Sequence, residues 1–353
     1  MPGILAILLL VSLLSCHVSG PQRGNTLRSA ATAHHITMGT AASSMYLQDR
    51  KYTRILSSEF AQLEPENEMK FARVHPQRDR YDFHAADVLV AFAESHGMVV
   101  RGHTLVWHRQ VPQWVTARAY SPGELSAILQ DHITTVMQHY AGRVYAWDVL
   151  NEAFNDDGTM RSTVWYDQPG IGFAGLGTQY IEQAFRWAHA ADPKAKLFYN
   201  DYGAEGVNAK SDAIYAMAQD FRRRGAPLDG IGFQAHVEVA YDTPEALASF
   251  AANLQRFAAL GLELHITELD IRLRDSSADS LARQAKFYGK IAGICVRQPA
   301  CKVLQTWGFT DKYSWIPRFY PGMDWALLWD ARYRKKPGYF RVLTTLQGQE
   351  KSF

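Results

Sequence analysis

An alternation of short apolar segments with longer amphipathic segments, repeated eight times, restricts the fold of this sequence more than any other feature. The short segments are rich in β-branched and aromatic residues, which is typical of buried strands. The longer segments have helix caps, early prolines and terminal glycines. The predicted strands are residues 36–41, 60–63, 98–103, 144–152, 196–200, 231–236, 262–270 and 302–307. The predicted helices are residues 50–58, 84–96, 121–142, 178–191, 211–224, 243–261, 277–296 and 338–346.

Strands that alternate with helices are usually parallel, because each helix crosses over one face of the sheet. Eight such units predict an α/β fold that closes into a (β/α)8 TIM barrel, rather than an open doubly wound sheet. No glycine-rich phosphate-binding loop follows the first predicted strand, which argues further against a nucleotide-binding open sheet. The sequence contains no linker or low-complexity tract, so we predict a single domain over residues 21–353.

The composition argues against a nucleic-acid partner. The formal net charge is +2 and the pI is about 8.3, and the basic residues form no stripe along the sequence. The chain has nine tryptophans and seventeen tyrosines. Most of these are expected in the core, but exposed aromatic faces of this kind also stack on sugar rings.

Residues 1–20 are predicted to be a secretory signal peptide. Their apolar run, residues 4–15, is shorter than the roughly 20 residues that a membrane-spanning helix needs. A basic segment before this run is missing, and cleavage is expected near Gly20. The sequence Leu-Leu-Ser-Cys ending at Cys16 also resembles a bacterial lipoprotein site. We predict a secreted protein, extracellular or periplasmic, with lipid anchoring through Cys16 as the alternative.

The cysteines fit an exported protein. With Cys16 in the signal segment, the mature chain keeps Cys295 and Cys301. An even pair at short spacing in an exported protein predicts a disulfide bond. The alternative is two free buried thiols.

Polar residues recur at the predicted carboxyl ends of the strands, where barrels of this kind carry their chemistry. They are Glu66, Asn67, Lys70, His103, Trp107, His108, Asn151, Glu152, Gln234, His236, Glu268, Asp270, Trp307 and Trp315. Glycoside hydrolysis requires one carboxylic acid that protonates the leaving oxygen and one carboxylate that attacks or activates water. Glu152 and Glu268 would supply this pair. They could also be ordinary strand-end glutamates, but the recurrence of polar groups at one end of the strands favours catalysis.

The histidines near these strand ends could instead be ligands of a metal ion. Strand alternation places His236 on the same face as Gln234, and Glu268 on the same face as Asp270. It also turns His265 away from Glu268, towards the helices, as a core residue. His236 beside two carboxylates is better interpreted as a hydrogen-bond partner that orients the nucleophile. We therefore predict no metal and no other cofactor.

Five motifs stand out along the sequence: ENEMK at 66–70, HTLVWH at 103–108, WDVLNE at 147–152, ITELD at 266–270 and WGFTDKYSW at 307–315. Together they resemble the motifs of the family 10 glycoside hydrolases, the endo-β-1,4-xylanases. The resemblance extends from about residue 36 to residue 340, and the motifs occur in the order that the family has.

This resemblance implies a retaining mechanism in which Glu152 is the acid/base and Glu268 is the nucleophile. Asn151 would bind the 2-hydroxyl of the reacting xylose, and His236 would link Glu268 to Asp270. The other substrate-binding residues that it implies are Gln234 and His103 at the same subsite, Glu66, Asn67 and Lys70 at the next sugar towards the non-reducing end, and Trp107, Trp307 and Trp315 in the cleft walls.

The sequence departs from the family pattern at the edges of the expected cleft. Phe71 stands where the family usually has tryptophan, and Arg318 and residues 323–325 stand where smaller residues are common. These departures leave the two glutamates in place. They affect only how substrate is held at the edges of the cleft.

The resemblance implies that the partners are xylan and xylo-oligosaccharides, with a monomeric chain and no obligate protein partner. One rival function is hydrolysis of another β-glycan, such as a glucan, with the same carboxyl groups. The other is carbohydrate binding without catalysis, which commonly goes with loss of a catalytic carboxyl group. Both Glu152 and Glu268 are present here.

Overall fold

The computed structural model of the chain describes residues 25–349, in which eight parallel strands close into a barrel. The described residues form nine strands, which are β1 (Thr37–Ala42), β2 (Gln62–Pro65), β3 (Val99–Val106), β4 (Ala146–Asn151), β5 (Lys196–Asp201), β6 (Gly230–Phe233), β7 (His236–Glu238), β8 (Glu263–Arg272) and β9 (Cys301–Thr306). The short strand β7 lies outside the ring of eight. The ring runs from β1 to β6 in chain order and continues through β8 and β9, and β9 pairs with β1. The predicted (β/α)8 barrel is confirmed.

Helices surround the barrel. They are α1 (Leu27–Thr32), α2 (Arg50–Glu59), α3 (Phe71–Val74), α4 (His84–Ser95), α5 (Gln113–Thr116), α6 (Pro122–His139), α7 (Gln179–Ala191), α8 (Ala209–Arg224), α9 (Pro244–Ala259), α10 (Ala278–Arg297), α11 (Ile316–Phe319) and α12 (Pro337–Leu346). Each of the predicted helices overlaps one of these. Short 3-10 helices cover Ser44–Tyr46, Val239–Tyr241 and Asp311–Tyr313.

Helix α1 was not expected, because its segment is mostly polar in sequence. A capping box between Thr26 and Ser29 begins it, and its apolar side is buried. The guanidinium of Arg28 donates hydrogen bonds to the carbonyls of Phe60 and Gly97, just before β2 and β3. The helix therefore lies where the strands begin, at the opposite end of the barrel from the candidate site.

The strand predicted over residues 231–236 is interrupted between β6 and β7. Ala235 has φ 60°, a left-handed conformation that non-glycine residues rarely adopt. Its N–H donates to the Glu205 carboxylate at 2.8 Å. After this break, β7 pairs with the outer part of β8. The interruption places Gln234 and His236 at the rim of the barrel.

Alternation along β4 turns Trp147 towards the helices and Asp148 towards the barrel interior. The Trp147 side chain is fully buried, and a Cβ at position 102 would collide with its ring, so glycine is required there. Truncation of a buried tryptophan to alanine typically costs about 3–5 kcal/mol. This packing fixes the strand that ends at Glu152.

The prediction that His265 points towards the helices is wrong. Its Nδ1 lies 2.7 Å from Nη1 of Arg101, which belongs to β3, across the ring from β8. Side chains on opposite strands can meet only in the barrel interior. The pairing of β8 with β9 shifts register around residues 264–269, so simple alternation does not carry from His265 to Glu268.

Cys295 and Cys301 form the predicted disulfide, with a Cα–Cα distance of 5.3 Å. The bond joins the end of α10 to the start of β9. The predicted signal peptide and Cys16 lie outside the described residues. Within residues 25–349, none of the helices combines the length and apolar character that crossing a membrane requires.

Candidate active site

Two amide side chains bring Glu152 and Glu268 into one hydrogen-bond network at the carboxyl end of the barrel. Asn200, at the end of β5, donates from Nδ2 to Oε1 of Glu268 at 2.7 Å and to Oδ1 of Asn151 at 2.9 Å. Gln234 donates from Nε2 to Oε1 of Glu152 at 3.1 Å and to the same Asn151 oxygen at 3.2 Å. The amides fix both carboxyl groups relative to Asn151.

The carboxyl group of Glu152 is almost completely enclosed. Trp107 donates from Nε1 to Oε2 of Glu152 at 2.9 Å, and Asn151 donates from Nδ2 to Oε1 at 3.2 Å. Nδ1 of His108 lies 3.9 Å from Oε2 and has no hydrogen-bond partner. The side chain of Glu152 thus has one orientation, with only a small exposed surface.

The backbone around Glu152 is held in an unusual conformation. Glu152 has φ 60°, and its N–H donates to the carbonyl of Asn200 at 2.9 Å. Its carbonyl accepts from Nε of Arg161 at 3.0 Å, and the N–H of Ala153 donates to the Tyr199 hydroxyl at 2.9 Å. These three hydrogen bonds fix the turn that aims the carboxyl group into the cleft.

Glu268 lies at one end of a charged chain of three groups. Nε2 of His236 is 3.0 Å from Oε2 of Glu268, and its Nδ1 is 2.9 Å from Oδ2 of Asp270. Trp315 donates from Nε1 to that same Asp270 oxygen at 2.8 Å. The sequence did not suggest this link between Trp315 and Asp270.

The charges in this chain favour an ionised Glu268. Burial disfavours the charged ring of His236, but the carboxylates of Asp270 and Glu268 outweigh burial and raise the pKa of His236 well above its ordinary value. Burial likewise opposes ionisation of Glu268, but the hydrogen bond and charge of His236 lower the pKa of Glu268 below its ordinary value. The two shifts together favour an imidazolium at His236 and a carboxylate at Glu268.

Comparison with known proteins identifies the family. Residues 26–345 match the family described as Glycosyl hydrolase family 10. The chain is 45% identical over 347 residues to endo-1,4-beta-xylanase B of Thermotoga neapolitana, and the alignment covers 97% of both proteins. The chain belongs to glycosyl hydrolase family 10.

Several xylanases are similar to the chain in sequence or in structure. Endo-1,4-beta-xylanase C of Phanerodontia chrysosporium is 39% identical over 88% of this chain and 76% of its own length. The crystal structure of native xylanase 10B from Thermotoga maritima gives a TM-score of 0.87 at 46% identity, covering 92% of this chain and 98% of that chain. Xylanase 10B from Thermotoga petrophila RKU-1, solved in complex with xylobiose, gives a TM-score of 0.87 at 45% identity. That match covers 94% of this chain and 99% of the Thermotoga petrophila chain.

Lys70 lies between the aromatic walls of this family 10 site. Its Nζ donates to Oδ1 of Asn67 at 3.1 Å and lies 4.9 Å and 5.5 Å from the ring centres of Trp107 and Trp307. Burial lowers the pKa of Lys70, although the neighbouring carboxylates oppose this. Burial raises the pKa of Glu66 to about 7, with Lys70 acting against it. Asn67 and Lys70 thus place polar groups beside the flat apolar faces of two indoles.

His103 links the rim of the site to a buried ion cluster inside the barrel. Its Nδ1 lies 3.0 Å from Asp148, and its ring meets Trp307 edge to face at 5.3 Å. Glu64, His103 and Asp148 have the spacing of a metal site, with ligand atoms within 4.8 Å of one another. However, the guanidinium of Arg101 bonds to Asp148 and lies 3.5 Å from Glu64. One cation thus already lies between the two carboxyl groups, and burial together with the charge of Asp148 raises the pKa of Glu64 well above its ordinary value.

The structure thus gathers the predicted site residues at one end of the barrel. Asn151, Gln234 and Trp107 contact Glu152, and the group of His236, Asp270 and Trp315 supports Glu268. The residues that sequence reasoning missed are Glu64, Arg101, Asp148, Tyr199, Asn200 and Asp201. Asn200 could have been found, since it ends a strand in the same way as Asn151.

The departures from the family pattern lie outside the catalytic network. Phe71 is buried and stacks on His132 at 3.6 Å and on Trp165 at 5.4 Å, so it packs in the core behind Lys70. The carbonyl of Trp325 accepts hydrogen bonds from Gln284 and Lys336. That part of the last loop is therefore fixed to the barrel.

Proposed function

We propose that the chain is an endo-1,4-β-xylanase that hydrolyses internal β-1,4-xylosidic bonds of xylan with retention of configuration. Glu152 is the acid/base and Glu268 the nucleophile. The observation that carries the proposal is the hydrogen-bond network in which Asn200 and His236 both contact Glu268. Against the effect of burial, the hydrogen bond and charge of His236 lower the pKa of Glu268, which favours its carboxylate form. The names of the relatives, all endo-1,4-beta-xylanases, and the xylobiose complex of the Thermotoga petrophila enzyme support the substrate.

In the first step a carboxylate oxygen of Glu268 forms a bond to the anomeric carbon. The glycosidic C–O bond breaks, and Glu152 gives its proton to the departing oxygen. In the second step the oxygen of a water molecule forms a bond to the same carbon, and Glu152 takes a proton from that water. The C–O bond to Glu268 breaks, so Glu268 leaves as a carboxylate. While Glu268 is esterified its negative charge is absent, which favours ionised Glu152 as the base.

Product analysis tests this function. Xylan should give a ladder of short xylo-oligosaccharides from the start of the reaction, because an endo-acting enzyme cuts internal bonds. The Glu268→Gln variant should give none. Faster hydrolysis of a soluble cellulose derivative than of xylan would assign the site to another β-glycan.

Trp315 is expected to exclude sugars that carry a hydroxymethyl group at C5, as glucose does. Trp315→Ala should lower kcat/KM on xylan more than on a glucose-based substrate, shifting the ratio by roughly tenfold. The comparison needs both substrates with the same enzyme preparation, since loss of the hydrogen bond to Asp270 lowers both rates. An equal fall in kcat/KM on both substrates would mean that another residue, for example Trp307, excludes the hydroxymethyl group.

We further propose that the protein is exported and acts as a monomer. Intact-mass measurement of the secreted protein should give a chain that starts near residue 21. Reduction of the denatured chain should add two hydrogen atoms, while a Cys295→Ser variant should show no such gain. A lipid-modified Cys16 would contradict the proposed cleavage, two free thiols would contradict the disulfide, and a dimer in light scattering would contradict the monomer.

A further inference from the structure

A row of exposed side chains continues the cleft wall beyond Trp315. Trp315 precedes α11, and residues three and four positions further along a helix lie on the same side. The rings of Trp315 and Phe319 are 5.1 Å apart, and the guanidinium of Arg318 lies 5.7 Å from the Phe319 ring centre. We name Trp315, Arg318 and Phe319 the α11 ridge. Its first member is held in the site by Asp270.

The two outer members of the α11 ridge are open to solvent. Phe319 is 54% exposed, and Arg318 is also exposed. Arg318 forms no ion pair with a carboxylate of residues 25–349. The neighbouring Arg272, by contrast, has partners within the protein. It donates to the His236 carbonyl, its guanidinium lies 4.3 Å from the Tyr320 ring centre, and it lies 3.9 Å from the Glu238 carboxylate. Arg318 therefore offers an unneutralised guanidinium next to an exposed aromatic face.

We propose that Arg318 and Phe319 bind a carboxylate-bearing side group of xylan, that is, a uronic acid attached to the main chain near the reacting sugar. A guanidinium binds a carboxylate through two parallel hydrogen bonds, and an aromatic face packs on the C–H surface of a sugar ring. An unsubstituted xylose chain is uncharged and gives Arg318 no such partner. The inference rests on the proposed xylanase function and specifies its substrate class.

The test compares glucuronoxylan with the same polymer after chemical reduction of its carboxyl groups. For Arg318→Gln, the ratio of kcat/KM on the acidic polymer to kcat/KM on the reduced polymer should fall by about twofold to fivefold, the effect of an exposed ion pair. Salt at about 0.5 M should remove most of the difference, because it screens exposed charges. Arg318→Lys should keep part of the preference, since it keeps the charge but loses the paired geometry.

Arg223→Gln is the control, because it removes another exposed arginine, which lies on the outer helix α8. It should leave the ratio unchanged. An unchanged ratio in Arg318→Gln, or an equal fall in the control, would overturn the inference. Hydrolysis of xylohexaose by the unaltered enzyme tests the proposed function separately, because that substrate carries no side groups.

A second inference comes from the strained turn at Glu152. The Tyr199 hydroxyl accepts the hydrogen bond from Ala153 and donates to Asp201 at 2.5 Å, and both side chains are buried. Asp201 is in turn 3.2 Å from Nζ of the buried Lys210. We infer that Tyr199 and Asp201 are positioning residues, which hold the turn so that the Glu152 carboxyl group reaches the glycosidic oxygen.

Tyr199→Phe removes only the hydroxyl. It should lower kcat/KM on xylohexaose about tenfold, since a displacement near 1 Å of a catalytic group costs up to about a hundredfold. It should leave kcat/KM on 2,4-dinitrophenyl β-xylobioside nearly unchanged, because that leaving group needs no proton. A purely structural defect would lower both values equally, and that result would overturn the inference.

Tyr288→Phe controls for the loss of a buried hydroxyl, which at that position donates to the carbonyl of Ala326 away from Glu152. Tyr288→Phe should not change the ratio of kcat/KM on xylohexaose to kcat/KM on the dinitrophenyl xylobioside. If Glu152→Ala lowered kcat/KM equally on xylohexaose and on the dinitrophenyl xylobioside, the proposed role of Glu152 would be wrong. That result would not depend on the outcome for Tyr199. Unchanged hydrolysis of xylohexaose by Tyr199→Phe would also overturn the inference.

Discussion

Glu268→Ala is expected to abolish hydrolysis of every substrate, with a loss of roughly 10⁴–10⁶-fold, the range seen when a covalent nucleophile is removed. External azide should restore turnover of activated aryl xylosides, because it occupies the space of the lost carboxylate and attacks the anomeric carbon from that side. The product should be a glycosyl azide of inverted configuration. Mass spectrometry and NMR of the product check this result.

The control for this loss is Glu245→Ala, which removes an exposed glutamate from α9. It should keep full activity. If Glu268→Ala retained substantial activity without azide, or if the azide adduct had the configuration of the substrate, Glu268 would not be the nucleophile.

Glu152→Ala should give a different pattern. Hydrolysis of xylan should fall by about 10²–10⁴-fold, the usual contribution of general acid–base catalysis. On an aryl xylobioside with a good leaving group, the first step should stay fast, so a burst of released phenol should precede slow turnover. The slow phase reflects attack by water without a base.

Azide should speed that slow phase and give a glycosyl azide with the configuration of the substrate. Stopped-flow absorbance measures the burst, and NMR assigns the azide product. The absence of a burst combined with equal losses on both substrates would mean that Glu152 does not protonate the leaving oxygen.

The sequence was sufficient to predict the barrel and both carboxyl groups, because strand and helix periodicities differ and polar residues at strand ends stand out. Glu152 and Glu268 each lie near the end of a predicted strand that is rich in apolar residues, and that position is visible in the sequence. Asn200 was missed although the same rule applies to it.

Other features depend on contacts between distant parts of the chain, which periodicity does not reveal. The inward direction of His265 depends on register shifts between β8 and β9. The break at Ala235 depends on Glu205, thirty residues earlier in the chain. The hydrogen bond from Trp315 to Asp270 joins residues forty-five positions apart. Pairings of this kind are set by the closed barrel rather than by local sequence.

The anomeric configuration of the first product tests the central claim most directly. Proton NMR during the first minutes of hydrolysis of a β-1,4-xylo-oligosaccharide, before mutarotation mixes the anomers, should show the β-anomer first. Two successive displacements at the same carbon, by Glu268 and then by water, restore the original configuration. Release of the α-anomer first would mean that a single water attack inverts the centre, and the roles assigned to Glu152 and Glu268 would be wrong.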